Sequence, residues 1–360
     1  MPSASAPSRR HELVFTTVLI LFSVLFSLFV LEFALRAWRG PEWLLKFPNL
    51  IREERVSTRN NSDNRAQYDS VLGFIGIPNY RSPKFNYDEH AFRITPAPPG
   101  VTLKEPPILA VGGSVTLGFG LADDETFPSQ LQSMIGRRVI NAGMDGYGLD
   151  QMILRAEVVV PQVKPAAIVV GTGLENLKRN EMSRVFGVEK PYFELVDGKL
   201  VLRNEPVPPT PDPATTLDFW QRLLGRSLLV DELLSRLHMR YDWYVDHVYT
   251  LPAGEGIAEA CPLFKRLAAL KLPTIVVAEY QPYLWYEPAV MRTDKAATAE
   301  MLRCAQQAGL ATVDPFDEID RTMRTAGHDA LFAKVEHPNA AGQALTARLV
   351  AEKLRQLNLP

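Results

Sequence analysis

Residues 106–120 read PPILAVGGSVTLGFG, and this stretch sets the architecture of the chain. A short apolar run, Ile108 to Val111, lies between prolines and the pair Gly112-Gly113, the pattern of a buried strand closed by a tight turn. Ser114 follows the glycines at once and Gly118 comes soon after, so the strand passes directly into a helix. A serine there projects its Oγ from a sheet edge, and its own N–H lies at a helix N-terminus, suited to a developing oxyanion. Such turns also occur in nucleotide binders, but the phosphate-binding lysine is absent here.

The same beat recurs outward. RRVINAG, PAAIVVGTG, LPTIVVAEY and LATVDPF alternate with amphipathic stretches that end in NAAGQALTARLVAEKLRQL. Short buried strands alternating with helices predict an α/β fold, a three-layer parallel sheet over residues 105–360. After the third strand a long insertion, about residues 177–254, breaks the rhythm. It contains YFELVDGKLVLRN, a hairpin signal centred on Asp197-Gly198, then the Pro-rich EPVPPTPDPATT and a helix-like run over 217–237.

Before the sheet, residues 13–30 read LVFTTVLILFSVLFSLFV, and the apolar character continues to residue 35 with Glu32 as its one charge. At about 1.5 Å per residue this run crosses a hydrocarbon core of roughly 30 Å, and its Arg/Trp-rich end lacks a small-residue cleavage pattern. It reads as an uncleaved transmembrane signal anchor over 13–35 behind a short tail, residues 1–12, with Glu32 reaching for the interface. Residues 36–104, polar and punctuated by proline, read as a juxtamembrane segment. Basic residues flank both ends of the anchor, so orientation rests on the short tail and the long following domain, which favour export of the domain.

The formal charge of −2 leaves no basic excess for a nucleic acid partner. Cys261 and Cys304 match no metal spacing and read as two half-buried thiols, with a disulfide as the alternative. No spacing in the chain implies a metal or an organic cofactor.

Three further polar signatures follow apolar runs, where open parallel sheets present reactive groups. VINAGMDGYGLDQ can aim the bare backbone N–H of Gly143 into a site. VVGTGLENLKRN brings Glu175 and Asn176 to the same edge, where an amide donates to an oxyanion and a carboxylate repels one. VEHPNAAGQ places His337 just before a long helix, with a pKa suited to general base work near neutral pH. Past the fourth strand, Tyr283, Trp285 and Tyr286 supply a candidate substrate loop.

The four blocks together, in this order, resemble the SGNH/GDSL hydrolase superfamily over residues 106–360. FNYDEHAFRI and GYGLDQ also resemble anchored bacterial members linked to surface polysaccharides. The resemblance implies Ser114 as nucleophile, His337 as catalytic histidine, and Ser114 and Gly143 N–H as oxyanion donors. The block that usually reads Gly-Asp-Ser is here Gly112-Gly113-Ser114. Glu175 falls in the slot of the oxyanion asparagine, leaving Asn176 to substitute, and Lys334 falls in the slot of the triad acid, leaving Glu336, Asp329 and Asp314 as candidates.

The expected function is therefore a serine esterase or O-acyltransferase on acyl esters of envelope or exported polysaccharide. The expected location is the bacterial inner membrane, single-pass, with the domain facing the periplasm or exterior and polysaccharide-export proteins as candidate partners. A lipid or thioester hydrolase and an inactive glycan-binding or export-complex subunit are the rival readings.

Overall fold

Side chains along a strand alternate between its two faces, and the apolar runs use that period of two to build both cores. The computed structural model describes residues 9–61, 65–210, 216–237, 239–245, 256–333 and 337–359. Its central sheet has five parallel strands, β1 (Lys104–Gly112), β2 (Arg137–Asn141), β3 (Ala167–Thr172), β4 (Thr274–Ala278) and β5 (Ala311–Val313), in the order β2-β1-β3-β4-β5. Leu109, Val111, Ile140, Ile168, Val170 and Val276 pack on one face with the helices Leu149–Val163, Ile257–Ala268 and Pro288–Gln307. Ile108, Ala110, Val139, Val169, Ile275 and Val277 pack on the other with Phe127–Ile135 and Ala340–Gln356. This is the three-layer α/β architecture read from the sequence. The strand order reverses direction around β1, so the carboxyl ends of β1 and β3 border the crevice where such sheets bind ligands.

The chain divides into two units, Met1–Asn60 with Pro211–Val248, and Asn61–Thr210 with Tyr249–Pro360. The sheet belongs to the second unit. There the hairpin Tyr192–Val196 to Lys199–Arg203 turns through Asp197 and Gly198 at φ of 51° and 72°, the left-handed pair that an Asp-Gly turn calls for. Lys190, fully buried, donates to Asp150 Oδ2 at 2.5 Å and to the carbonyls of Arg179 and Met182, which ties the segment before this hairpin to the helix Leu149–Val163. Burial pushes the Asp150 carboxyl up to about 6 against the pull of Lys190.

In the first unit, a helix over Arg9–Arg39 contains the apolar run, and Leu13–Arg39 is long and apolar enough to cross a membrane. Glu32 does not stand free at an interface. Its carboxylate accepts from Arg36 Nε at 2.7 Å, Ser227 Oγ at 2.7 Å, and the N–H groups of Leu228 and Leu229 at 3.0 and 2.9 Å. It thereby caps the helix Leu228–Arg236, whose first N–H groups have no acceptor within the helix. Leu35 packs with Leu50, Ile51, Leu228 and Tyr244 around that junction. The residues read as one insertion thus divide: the hairpin belongs to the sheet unit, whereas Phe219–Leu224 and Leu228–Arg236 belong to the unit of the apolar helix.

Cys261 and Cys304 are disulfide-bonded, with Cα atoms 4.6 Å apart, which corrects the reading of two free thiols. The reason is tertiary: Ile257–Ala268 and Pro288–Gln307 are neighbours on one sheet face, and no local pattern announces that pairing. Protein recovered under non-reducing conditions should therefore show no titratable thiol after denaturation. Replacing both cysteines by serine should cost roughly 3–4 kcal/mol in urea unfolding, the scale for opening a loop of this length. Two reactive thiols in the native chain would contradict the bond.

Candidate active site

Ser114 opens a four-residue helix, Ser114–Leu117, directly after β1. So short a helix has little stability of its own, and it is fastened from outside. Gly118 adopts φ 83° and returns its N–H to the carbonyls of Ser114 and Val115. The Val115 carbonyl accepts from Gln343 Nε2 at 3.0 Å, and the Thr116 carbonyl from Asn141 Nδ2 at 3.1 Å. The buried Arg93 guanidinium donates to the carbonyls of Leu117 at 2.7 Å and of Gly118 and Leu121 at 2.5 Å, with Asp123 Oδ1 as its ion partner at 3.0 Å. Arg93 comes from the FNYDEHAFRI stretch, whose wording the sequence flagged without assigning any residue in it.

His337 Nε2 lies 2.9 Å from Ser114 Oγ, and both residues are half-buried. The Phe119 ring packs against the imidazole, with centroids 4.9 Å apart. The histidine is set by its neighbours. Its carbonyl accepts from Ala333 N–H at 2.8 Å. Asn339 caps the following helix by accepting from Ala341 and Gly342 N–H, and anchors backward by donating to the Asp329 carbonyl at 2.9 Å.

Three strand ends converge beside the serine. Asn176 is buried; its Oδ1 accepts from Gly173 N–H at 3.0 Å and its Nδ2 donates to the Tyr147 carbonyl at 2.9 Å. The same Nδ2 lies only 2.6 Å from where a Cβ on Gly113 would stand. The amide therefore reaches the backbone just before Ser114, and a side chain at position 113 would displace it. Glu175, the residue in the aligned slot, is partly exposed and accepts from Lys178 Nζ at 3.1 Å. Gly143 packs so closely on the serine helix that a Cβ would meet Leu117 N at 2.5 Å, and its N–H already donates to Asn141 Oδ1 at 3.1 Å. Ser114 N–H, in the first turn of its helix, has no acceptor within that helix.

Two of the candidate triad acids have other partners. Asp314 accepts from Tyr280 Oη at 2.9 Å and Phe316 N–H at 3.0 Å, and the exposed Asp329 pairs with His328 Nδ1 at 2.9 Å. Glu336 and Lys334 lie outside the described residues. Of the aromatic loop, Trp285 stacks on Phe316 and donates Nε1–H to Asp320 at 3.0 Å, so it packs the loop down. Tyr283 is partly buried with its hydroxyl toward Asp294, and Tyr286 is 64% exposed.

One acidic residue escaped the sequence reading. Glu279, immediately after β4, is largely buried and accepts from Thr116 Oγ1 at 3.3 Å, behind the serine helix. Both Gly112 and Gly171 are needed there: a Cβ on Gly171 would stand 2.4 Å from Glu279 Oε1, and one on Gly112 1.9 Å from Thr116 Oγ1. Glu279 lines two clefts of about 320 and 380 Å³; Asn176 and Tyr283 border the first, Val115 and Pro338 the second. A carboxyl ending an apolar strand is the signal that could have revealed it.

No protein-family profile matches the sequence, and no curated protein matches it. Among solved structures, the chain is similar to an alpha/beta hydrolase from the metagenome of Lake Arreo at 15% identity and a TM-score of 0.43, covering 72% of this chain and 97% of that one. It is similar to the esterase EstA from Pseudoalteromonas at 15% identity and 0.41, covering 71% and 100%. It is also similar to an acetyl xylan esterase from Geobacillus stearothermophilus at 14% identity and 0.40, covering 72% and 97%.

Burial pushes the Glu279 carboxyl up to about 8 from an ordinary 4.5, against the opposing pull of the Thr116 hydroxyl and the Arg179 charge. Between those values the folded chain holds a proton that the unfolded chain releases, so stability falls as pH rises through the interval. Glu279→Gln should therefore gain melting temperature relative to the parent between about pH 5 and about pH 8.5. A difference that stays constant over that range in thermal scans would contradict a neutral buried carboxyl.

Proposed function

We propose that this chain is a serine esterase or O-acyltransferase of the SGNH type, acting on acyl esters of envelope or exported polysaccharide. The observation that carries the reading is the 2.9 Å contact between His337 Nε2 and Ser114 Oγ at the carboxyl end of β1. An unactivated serine is a poor nucleophile at neutral pH, and a neutral imidazole at hydrogen-bond distance is what activates it. Ser114 Oγ adds to the ester carbonyl while its proton passes to His337 Nε2. The tetrahedral oxyanion is held by Ser114 N–H and Asn176 Nδ2, with Gly143 N–H shared between Asn141 and the oxyanion. The C–O bond to the leaving alcohol then breaks, and His337 returns the proton to that oxygen. An acceptor hydroxyl next loses its proton to His337 and attacks the acyl-enzyme; the acyl C–Oγ bond breaks, and His337 returns the proton to Ser114 Oγ. Water as acceptor gives deacylation; a sugar hydroxyl gives transfer.

Two features support an envelope setting. The apolar helix supplies a membrane anchor, and the Cys261–Cys304 disulfide suits an oxidising compartment, so the sheet unit faces the periplasm or exterior. The exposed ring of Tyr286 offers a face for a sugar. Esterases, including one that acts on acetyl xylan, stand among the similar structures, which accords with an acylated glycan as substrate.

Turnover of 4-nitrophenyl acetate and of acetylated oligosaccharides by the detergent-solubilised chain tests this. Ser114→Ala and His337→Ala should each lower kcat/KM by about 10³-fold or more, and Asn176→Ala by about 10²-fold with KM little changed. A Ser114→Ala chain that turns over at the parental rate overturns the assignment.

A further inference from the structure

Among the described residues outside the anchor helix, large apolar side chains more than half exposed belong almost wholly to one unit. Tyr286 is the exception; the others include Phe219 at 67%, Trp220 at 58% and Leu223 at 55%. These three share one face of the short helix Phe219–Leu224, at spacings of three and four residues, with exposed Arg222 and Arg226 beside them. The Phe219 and Trp220 rings meet edge to face, with centroids 5.2 Å apart. The opposite side of the helix is held down: Gln221 is buried and gives its carbonyl to Asn49 Nδ2 at 2.8 Å. The apolar face is therefore presented by a fixed scaffold rather than left over from a loose segment.

Its level is set by Glu32. From Leu13 to Glu32 a helix rises roughly 30 Å, the thickness of a hydrocarbon core, so Glu32 stands at the edge of that core. Ser227 Oγ and the N–H groups of Leu228 and Leu229 all donate to its carboxylate, which brings the chain just after Phe219–Leu224 to the same edge. Trp38, 87% exposed near the end of the anchor helix, marks the same zone. Aromatic and aliphatic side chains with arginine beside them are what the interfacial layer of a bilayer accepts: rings lie at headgroup level and guanidinium groups reach phosphate.

We infer that Phe219, Trp220 and Leu223 insert into the interfacial layer of the leaflet from which the anchor emerges, forming with Trp38 a second, monotopic contact with the same membrane. This rests on reading the Arg9–Arg39 helix as an anchor. The contact fixes the tilt of this unit on the bilayer, where a single helix would leave it free to swivel.

The full chain, one copy per lipid nanodisc, tests it with phosphatidylcholine brominated either near the carbonyls or near the chain ends. Subtracting the emission of Trp220→Phe from that of the parent isolates Trp220, and Trp38→Phe does the same for the anchor. The expected result is that shallow bromines remove more than half of the Trp220 component and deep bromines remove less. An unquenched Trp220 beside a quenched Trp38 overturns the insertion while leaving the anchor standing; with one copy per disc, a face that covers a second copy instead of lipid would give that unquenched signal. Neither residue quenched overturns the anchor as well. A second variant, Phe219→Ser with Leu223→Ser, should lower Trp220 quenching while leaving that of Trp38 unchanged.

Discussion

Four backbone carbonyls in the turn that carries Ser114 depend on side chains brought from far along the chain. Gln343 holds the carbonyl of Val115, Asn141 that of Thr116, and Arg93 those of Leu117 and Gly118. A helix of this length does not persist unaided, and buried carbonyls left without donors would each cost about 1–3 kcal/mol. Its position relative to His337 is therefore a property of the whole fold. Arg93 is central, since its planar fork reaches three carbonyls and Asp123 together, which a lysine could not do.

The same constraint explains the glycines. Gly112, Gly113 and Gly143 do not serve only as flexible links: at each, a Cβ would meet Thr116, Asn176 or the Leu117 backbone at 2.6 Å or less. Close approach packs the ends of β1, β2 and β3 tightly against the turn that carries Ser114. Glu279 lies against Thr116 Oγ1, and its burial favours the neutral acid over the pull of Arg179.

Much of this was legible in the sequence, and the boundary is physical. The parallel sheet follows from apolar runs of strand length broken by glycine turns, and Ser114 and His337 stand out because one follows a strand and the other precedes a helix. Asn176 and Glu175 are adjacent, and only the cap geometry of the helix Leu174–Lys178 turns the amide inward while the carboxylate accepts from Lys178. The roles of Arg93, Asp123 and Gln343 are contacts across long sequence separations, with no local period to announce them. The Cys261–Cys304 bond is hidden for the same reason. Glu32 reads from sequence as a charge seeking water, because its actual partners, Ser227 to Leu229, are nearly two hundred residues away.

The central claim is that Ser114 is an activated nucleophile, and labelling of the full chain by a fluorophosphonate probe tests it most directly. The account predicts one modified residue, Ser114 by peptide mass spectrometry, with labelling abolished in Ser114→Ala and nearly so in His337→Ala while both variants keep the parental melting profile. A folded chain that takes up no label, or carries it on another serine, would contradict it.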